Sequence, residues 1–211
     1  MALIANTQVT CPACSKSHGV ALVRSVNSQT DPGQKAALLR GELNLLVCEC
    51  GKRTPMAADL LFTDPVAGFF CQVCVGDAEA ITKAKLAFEE SGVVGERRIV
   101  RSMNALMEKV KVQDAGLSDW AIEMVKVLLL TTLENPTLDE VLLFDGVDRE
   151  RGTLSWVLFR AGQSKPQFLS SPLTSYANGL DQWWLVAPGN QLEIDRGWAL
   201  AALRKVMPLP A

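Results

Sequence analysis

Six cysteines are the residues of this chain best suited to chemistry, and they fall in three close pairs: Cys11 and Cys14, Cys48 and Cys50, Cys71 and Cys74. A thiolate is both a nucleophile and a soft metal ligand. Zinc takes four ligands in a tetrahedron, each sulfur at about 2.3 Å. In Cys11-Pro12-Ala13-Cys14 the spacing lets both thiolates face one ion while backbone amides soften their charge. Cys48-Glu49-Cys50-Gly51 supplies a second pair, with glycine suited to a tight turn after the last ligand. One residue separates Cys48 from Cys50 where zinc ribbons usually have two, but side chains at i and i+2 of an extended segment share a face. The 33 residues between the pairs leave room for a hairpin or a small insertion. The expected cofactor is therefore zinc, held by Cys11, Cys14, Cys48 and Cys50. Cys71-Gln72-Val73-Cys74 has ligand spacing too, yet it sits among Phe69, Phe70, Val73 and Val75, where two small buried hydrophobes are the plainer reading. Three outcomes stay open for the second half of the site: the short pair chelates, it shares the task with Cys71 and Cys74, or it has lost the metal.

Other chemistry is sparse. Cys-Pro-Ala-Cys also resembles the active dithiol of thioredoxin-like proteins, whose first cysteine opens a helix after a strand, but no β-α-β pattern precedes or follows it and Ser15-Lys16-Ser17 is no obvious helix start. His18 is the only histidine. It follows Cys14 closely and is a candidate further ligand, though an exposed loop residue is the simpler reading. One histidine rules out a two-histidine metal centre, and most nucleophile–base triads would have to use it. Glu42, Asp59, Asp64 and Asp145 read as solvated charges and turn residues. Gly92-Val93-Val94-Gly95 lacks the lysine and hydroxyl of a phosphate loop.

The elements that must position the cysteines divide the chain. Residues 1–76 read as mostly β, with branched residues at Val20, Val23 and Val26 and a turn signal at Asp31-Pro32-Gly33. A short helix is expected over Gln34–Leu39, and strands over Leu43–Cys48, Ala57–Phe62 and Gly68–Val75. Residues 77–135 read as three helices: Asp77–Glu90, about Glu96–Lys109, and one from Ser118 or Asp119 to about Leu133, closed by Asn135-Pro136. In the second, Ile99, Met103, Leu106 and Val110 recur on one helical face. The third is apolar nearly all round, so it is expected to be buried centrally or to meet a partner. Beyond it come strands at Val141–Phe144, Leu154–Phe159, Gln167–Leu169 and Trp183–Val186, with a turn at Gly162-Gln163-Ser164-Lys165. A helix over Arg196–Met207 follows, ended by Pro208 and Pro210.

Composition fits a globular protein: 211 residues, 48% apolar and 21% charged. The net charge of -2 gives no basic footprint for nucleic acid. The first residues carry no signal-peptide pattern, and the longest apolar stretch, Val125 to Leu133, is too short to span a bilayer. A cytosolic place is expected, where disulfides are disfavoured and metal ligation is the leading use for six cysteines.

Residues 9–133 resemble the bacterial CpXC domain. The pieces that carry the likeness are Cys11-Pro12-Ala13-Cys14, Ser25-Val26-Asn27, Asp31-Pro32, Leu38-Leu39-Arg40-Gly41-Glu42-Leu43-Asn44, Cys50-Gly51 and Leu60-Leu61-Phe62-Thr63-Asp64. Beyond the cysteines, Arg98-Ile99-Val100, Asn104-Ala105-Leu106, Glu108-Lys109, Asp114-Ala115-Gly116-Leu117-Ser118-Asp119 and Ile122-Glu123-Met124-Val125-Lys126 look like the family's helical region. The resemblance implies four cysteines in two pairs and a zinc site, and no established activity. The chain departs from the pattern at the second pair, where Val47 stands in place of a cysteine and Cys48 in place of a proline.

The expected architecture is α+β: a zinc-ribbon-like N-terminal β unit, a central three-helix segment and a C-terminal β meander with a closing helix. The CpXC-like domain takes residues 1–135, with its cysteine-built β unit at 1–76 and helices at 77–135. Residues 136–211 either stand apart or belong to the same domain, and the meander is free to complete a sheet with the first β unit. The expected function is that of a noncatalytic, zinc-stabilised binding or adaptor protein acting through protein–protein contacts within a bacterial assembly. A protein partner is expected, nucleic acid and membrane are not, and catalytic residues are not expected. The alternative is an enzyme, either a zinc-dependent hydrolase or a thiol–disulfide redox protein.

Overall fold

The computed structural model describes residues 2–134, 137, 139–163 and 165–207. The turn assigned to Asn135-Pro136, Ser164 of the expected 162–165 turn, and the terminal prolines 208 and 210 lie outside them. The chain is α+β and forms two compact units, residues 1–107 and 108–211.

The first unit begins with a hairpin, β1 (Ile4–Thr10) against β2 (Ser17–Val23). After Arg24 comes β3 (Ser25–Asn27), then α1 (Pro32–Leu39) and a second hairpin, β4 (Leu45–Val47) with β5 (Arg53–Pro55). Strands β6 (Leu60–Asp64) and β7 (Phe69–Val73), helix α2 (Ala78–Glu90) and strand β8 (Glu96–Val100) complete it. The central sheet has the order β3-β6-β7-β8, with β3/β6 and β7/β8 parallel and β6/β7 antiparallel. Parallel neighbours need a crossover connection, and α1 and α2 lie within the two crossovers. Alternation along β6 and β7 explains the core: Leu60, Phe62, Phe69, Cys71 and Val73 are buried while Leu61, Phe70 and Gln72 are half-buried. Asp31-Pro32-Gly33, expected as a turn, opens α1 instead, because proline at the first helical position loses no needed hydrogen bond. Asp77 caps α2 by accepting from the Glu79 and Ala80 amides at 3.1 Å each.

A helix over Glu96–Lys109 does not form as expected. Glu96–Val100 is β8, and α3 begins at Met103 and runs to Asp114. The spacing from Ile99 to Val110 mimicked a helical face across a strand–helix junction. Pairing of Ile99 with Gln72 and of Val100 with Val73 took the branched residues into the sheet. Ser102 then opens the helix, its hydroxyl accepting from the Ala105 amide at 3.2 Å.

In the second unit, the end of α3 and α4 (Asp119–Thr131) precede a meander of β9 (Val141–Asp148), β10 (Thr153–Phe159) and β11 (Gln167–Pro172). The helices α5 (Leu173–Trp183) and α6 (Arg196–Val206) close it. The meander is a separate three-stranded sheet and does not extend the sheet of the first unit. Ile122, Met124 and Val125 of α4 share one core with Leu142, Phe144, Leu154, Trp156 and Leu158. Trp156 is fully buried, edge-on to Phe144 at 5.7 Å, with its indole donating to the Ser171 hydroxyl. The strand expected at Trp183–Val186 is absent: Trp183 ends α5 and Trp184–Val186 is a 3-10 turn. The Trp183 ring lies over Gly179 one helical turn earlier, so closely that a β-carbon there would sit 2.2 Å from it.

The nearly all-apolar α4 also buries charge. Lys109 Nζ lies 2.8 Å from Asp119 Oδ2 and 3.4 Å from Glu123 Oε1, and it donates to the Ile194 carbonyl at 2.8 Å. Lys126 Nζ bridges Glu108 at 2.9 Å and Glu123 at 3.0 Å. Glu108 Oε1 accepts the Phe144 amide at 2.6 Å. Burial raises the Glu108 pKa, while the facing carboxylates outweigh burial at Lys109 and Lys126 and raise theirs. Among the described residues no helix is long and apolar enough to cross a membrane.

Candidate metal centre

The cysteines occupy the tips of the two hairpins in the first unit. Strands β1 and β2 pair as far as Thr10 and Ser17, leaving Cys11–Lys16 as the tip. There the Cys11 amide donates to the Lys16 carbonyl at 2.8 Å, and the Ser15 amide to the Cys11 carbonyl at 2.9 Å. The β4–β5 tip repeats this arrangement in shorter form: the Cys48 amide donates to the Lys52 carbonyl and the Gly51 amide to the Cys48 carbonyl, both at 2.9 Å. Gly51 turns the chain at φ 83°, a conformation that costs glycine little. Each tip thus presents two sulfurs on a hydrogen-bonded turn.

The bases of the hairpins are tied together as well. Asn44 is buried at φ 55°; its side chain accepts from the Val23 amide at 2.8 Å and donates to the Val23 carbonyl at 2.9 Å. Its carbonyl accepts from the Met56 amide at 2.8 Å. One residue thereby joins the end of β2 to both sides of the second hairpin. Between the tips, Lys16 Nζ meets Glu49 Oε2 at 2.9 Å, an exposed ion pair of small energetic value.

All four expected ligands converge. Cys11 and Cys50 sulfurs are 3.7 Å apart, Cys14 and Cys48 sulfurs 3.5 Å, and all four lie within 4.8 Å of one another. A tetrahedron of sulfurs about 2.3 Å from zinc has edges of about 3.8 Å, so the residues present fit such an ion. Among the described residues this is the group of Cys, His, Asp and Glu side chains able to hold a metal. Cys11 and Cys48 are buried; Cys14 and Cys50 are exposed. Val47, 61% exposed, is outside the group, to which Cys48 and Cys50 both belong. Cys71 and Cys74 are buried in and just after β7, apart from the four, so they do not share the task.

The polarity around the sulfurs is uneven. The Ala13 amide, then that of Cys14 and the neighbouring Cys48 and Cys14 sulfurs, overcome burial and lower the Cys11 pKa to about 6. At Cys48 the Cys50 amide acts downward, but burial and the Cys14, Cys50 and Cys11 sulfurs outweigh it and push the thiol up to about 12. Glu49 first, and then the sulfurs of Cys14, Cys48 and Cys50, hold the Lys16 ammonium above its usual value.

His18 is not a loop residue. It belongs to β2, opposite Val9, and is half-buried with Nε2 3.2 Å from the Cys48 sulfur. The fold does contain the β-α-β arrangement that the sequence failed to reveal, as β7-α2-β8, but Cys11-Pro12-Ala13-Cys14 is not on it and opens no helix. The roles of Asn44 and Lys16 were missed; for Asn44 the available signal was its place in the Leu38–Asn44 segment that carried the resemblance.

Residues 9–126 match the family model described as CpXC protein. The chain belongs to the CpXC protein family. No curated protein and no solved structure matches it. The CpXC match spans both cysteine tips and the mixed sheet and continues into α4, so it crosses from the first compact unit into the second. Both cysteine pairs lie within the matched residues; two residues separate Cys11 from Cys14 and one separates Cys48 from Cys50, and all four sulfurs join the cluster.

Proposed function

We propose that this CpXC protein holds one zinc ion on Cys11, Cys14, Cys48 and Cys50, and acts as a noncatalytic, zinc-stabilised binding or adaptor protein in the cytoplasm. The observation that carries the metal assignment is the mutual spacing of the four sulfurs. Four thiolates fill a zinc tetrahedron, whereas a catalytic zinc keeps a position for water. The ligands must be reduced, which favours a reducing compartment. For contacts with a protein partner, the supporting feature is a pair of large apolar side chains on the surface of the second unit: Trp184, 66% exposed, beside Leu185, 70% exposed. Exposed tryptophan is favoured where proteins meet.

Native mass spectrometry of the purified chain, before and after alkylation, tests the site. One zinc per chain with four slow-reacting thiols is the expected result. A metal-free chain in which Cys11 alkylates rapidly would overturn it and favour thiol chemistry instead. For the binding role, cross-linking in cells should give a defined protein adduct that Trp184→Ala weakens; an unchanged adduct pattern would count against that surface.

A further inference from the structure

The two cysteine tips are chemically unequal. The first has two residues between its cysteines and the second has one. A closed four-thiolate zinc site carries a formal charge of about -2, and N–H donors to the sulfurs are what spreads that charge. A side chain from outside the shorter tip reaches the Cys48 sulfur. That side chain is His18: Nε2 lies 3.2 Å from the Cys48 sulfur, within reach of an N–H···S hydrogen bond. It comes from β2, whose pairing with β1 fixes the backbone on which the ring is carried.

We propose that His18 is a positioning residue of the metal centre, donating its Nε2–H to the Cys48 sulfur and holding that thiolate on the ion without ligating it. The assignment rests on the zinc reading above. Four sulfurs already complete the tetrahedron, so the imidazole is left as a hydrogen-bond partner rather than a fifth ligand. Partners of this kind orient the ligand and tune its donor strength, and losing one lowers metal affinity by roughly 10–100-fold. On this account a side chain carried by the first hairpin steadies the shorter Cys48-Glu49-Cys50 tip of the second.

The test uses the full chain, loaded with zinc or cobalt, as wild type, His18→Phe and His18→Gln. Phenylalanine keeps the ring volume and removes the donor; glutamine keeps an N–H. Zinc affinity is read by competition with a chromophoric chelator, and ligand type by the sulfur-to-cobalt charge-transfer band. The expected result is a four-thiolate cobalt spectrum in every variant, with zinc affinity about 10–100-fold weaker in His18→Phe and partly restored in His18→Gln. Equal affinity in all three overturns the role of His18 and leaves the metal site standing. A wild-type spectrum of three sulfurs and one nitrogen that changes in His18→Phe makes His18 a ligand and also overturns it. If His18→Phe fails to fold by circular dichroism, His18→Ala takes its place as the variant without a donor: zinc affinity about 10–100-fold below wild type supports the proposal, and an affinity equal to wild type overturns it. Wild type that takes up neither metal removes the zinc reading, and His18 with it.

Discussion

Replacing Lys109 by methionine should unfold much of the second unit's stability margin. The ammonium is 3% exposed and is the cation beside Asp119 at 2.8 Å, with Glu123 at 3.4 Å. Methionine retains most of the volume but none of the charge, so Asp119 and Glu123 lose this cation, Glu123 keeping Lys126, and the Ile194 carbonyl loses a donor. Breaking a buried pair in this way costs about 3–5 kcal/mol, against a total of about 5–15 kcal/mol for a domain of ordinary stability. The assay is selective because all five tryptophans, Trp120, Trp156, Trp183, Trp184 and Trp198, lie in the second unit. Urea unfolding followed by tryptophan fluorescence should show the midpoint fall by at least about 1 M, given slopes of about 1–3 kcal/mol per molar. Adding Asp119→Asn should recover part of the loss, since the amide carries no charge. A loss below about 1 kcal/mol, typical of a solvent-screened pair, would refute the argument from burial.

Cys48→Ser should lower the metal content well below one ion per chain, measured by elemental analysis, because it removes one of four soft ligands. Asn44→Ala should destabilise the first unit by about 1–3 kcal/mol through the stranded Val23 amide and carbonyl, with further strain from its positive φ; hydrogen exchange at Val23 would rise. Alkaline titration should also expose the buried lysines. Their folded pKa values are raised above the ordinary lysine value, so between that value and the folded one the native state holds protons that the unfolded state has lost. Tryptophan-monitored stability should hold up to about pH 10 and then fall by about 1.4 kcal/mol per pH unit for each lysine. A curve flat beyond pH 11 in a wild type that stays folded would contradict the raised values.

The sequence made the site more legible than the fold. Ligand type and turn chemistry are local, so Cys11, Cys14, Cys48, Cys50 and Gly51 could be read without knowing the sheet. The apolar run of α4 and the meander were equally plain, because hydrophobic pattern reports burial directly. Parallel pairing was not: β3 lies beside β6 across a long crossover, and no short-range signal records it. Hence Ile99, at a spacing that suits a helix, belongs to a strand. Trp183 misled for a different reason: its ring packs over Gly179 one turn earlier in the same helix, where a strand reading looked for a neighbouring strand. His18 looked like a loop residue only because the tip it faces is distant in sequence.

The two cysteine hairpins are rooted at the same end of adjacent strands. Strand β2 runs into β3 through Arg24 alone, β5 runs into β6 through residues 56–59, and β3 and β6 are parallel neighbours. With the ion bound, the tips act as the jaws of a peg whose spring is the β3/β6 pair. That pairing is the slow kind to form, since its partners are far apart along the chain and loop closure must come first. An ion captured early by Cys11 and Cys14 and then by Cys48 and Cys50 would close the loop before the strands meet. Metal supply would then set how fast newly made chains reach the native state, and a chain starved of it would linger with β3 and β6 exposed as unpaired edges, open to association with other copies.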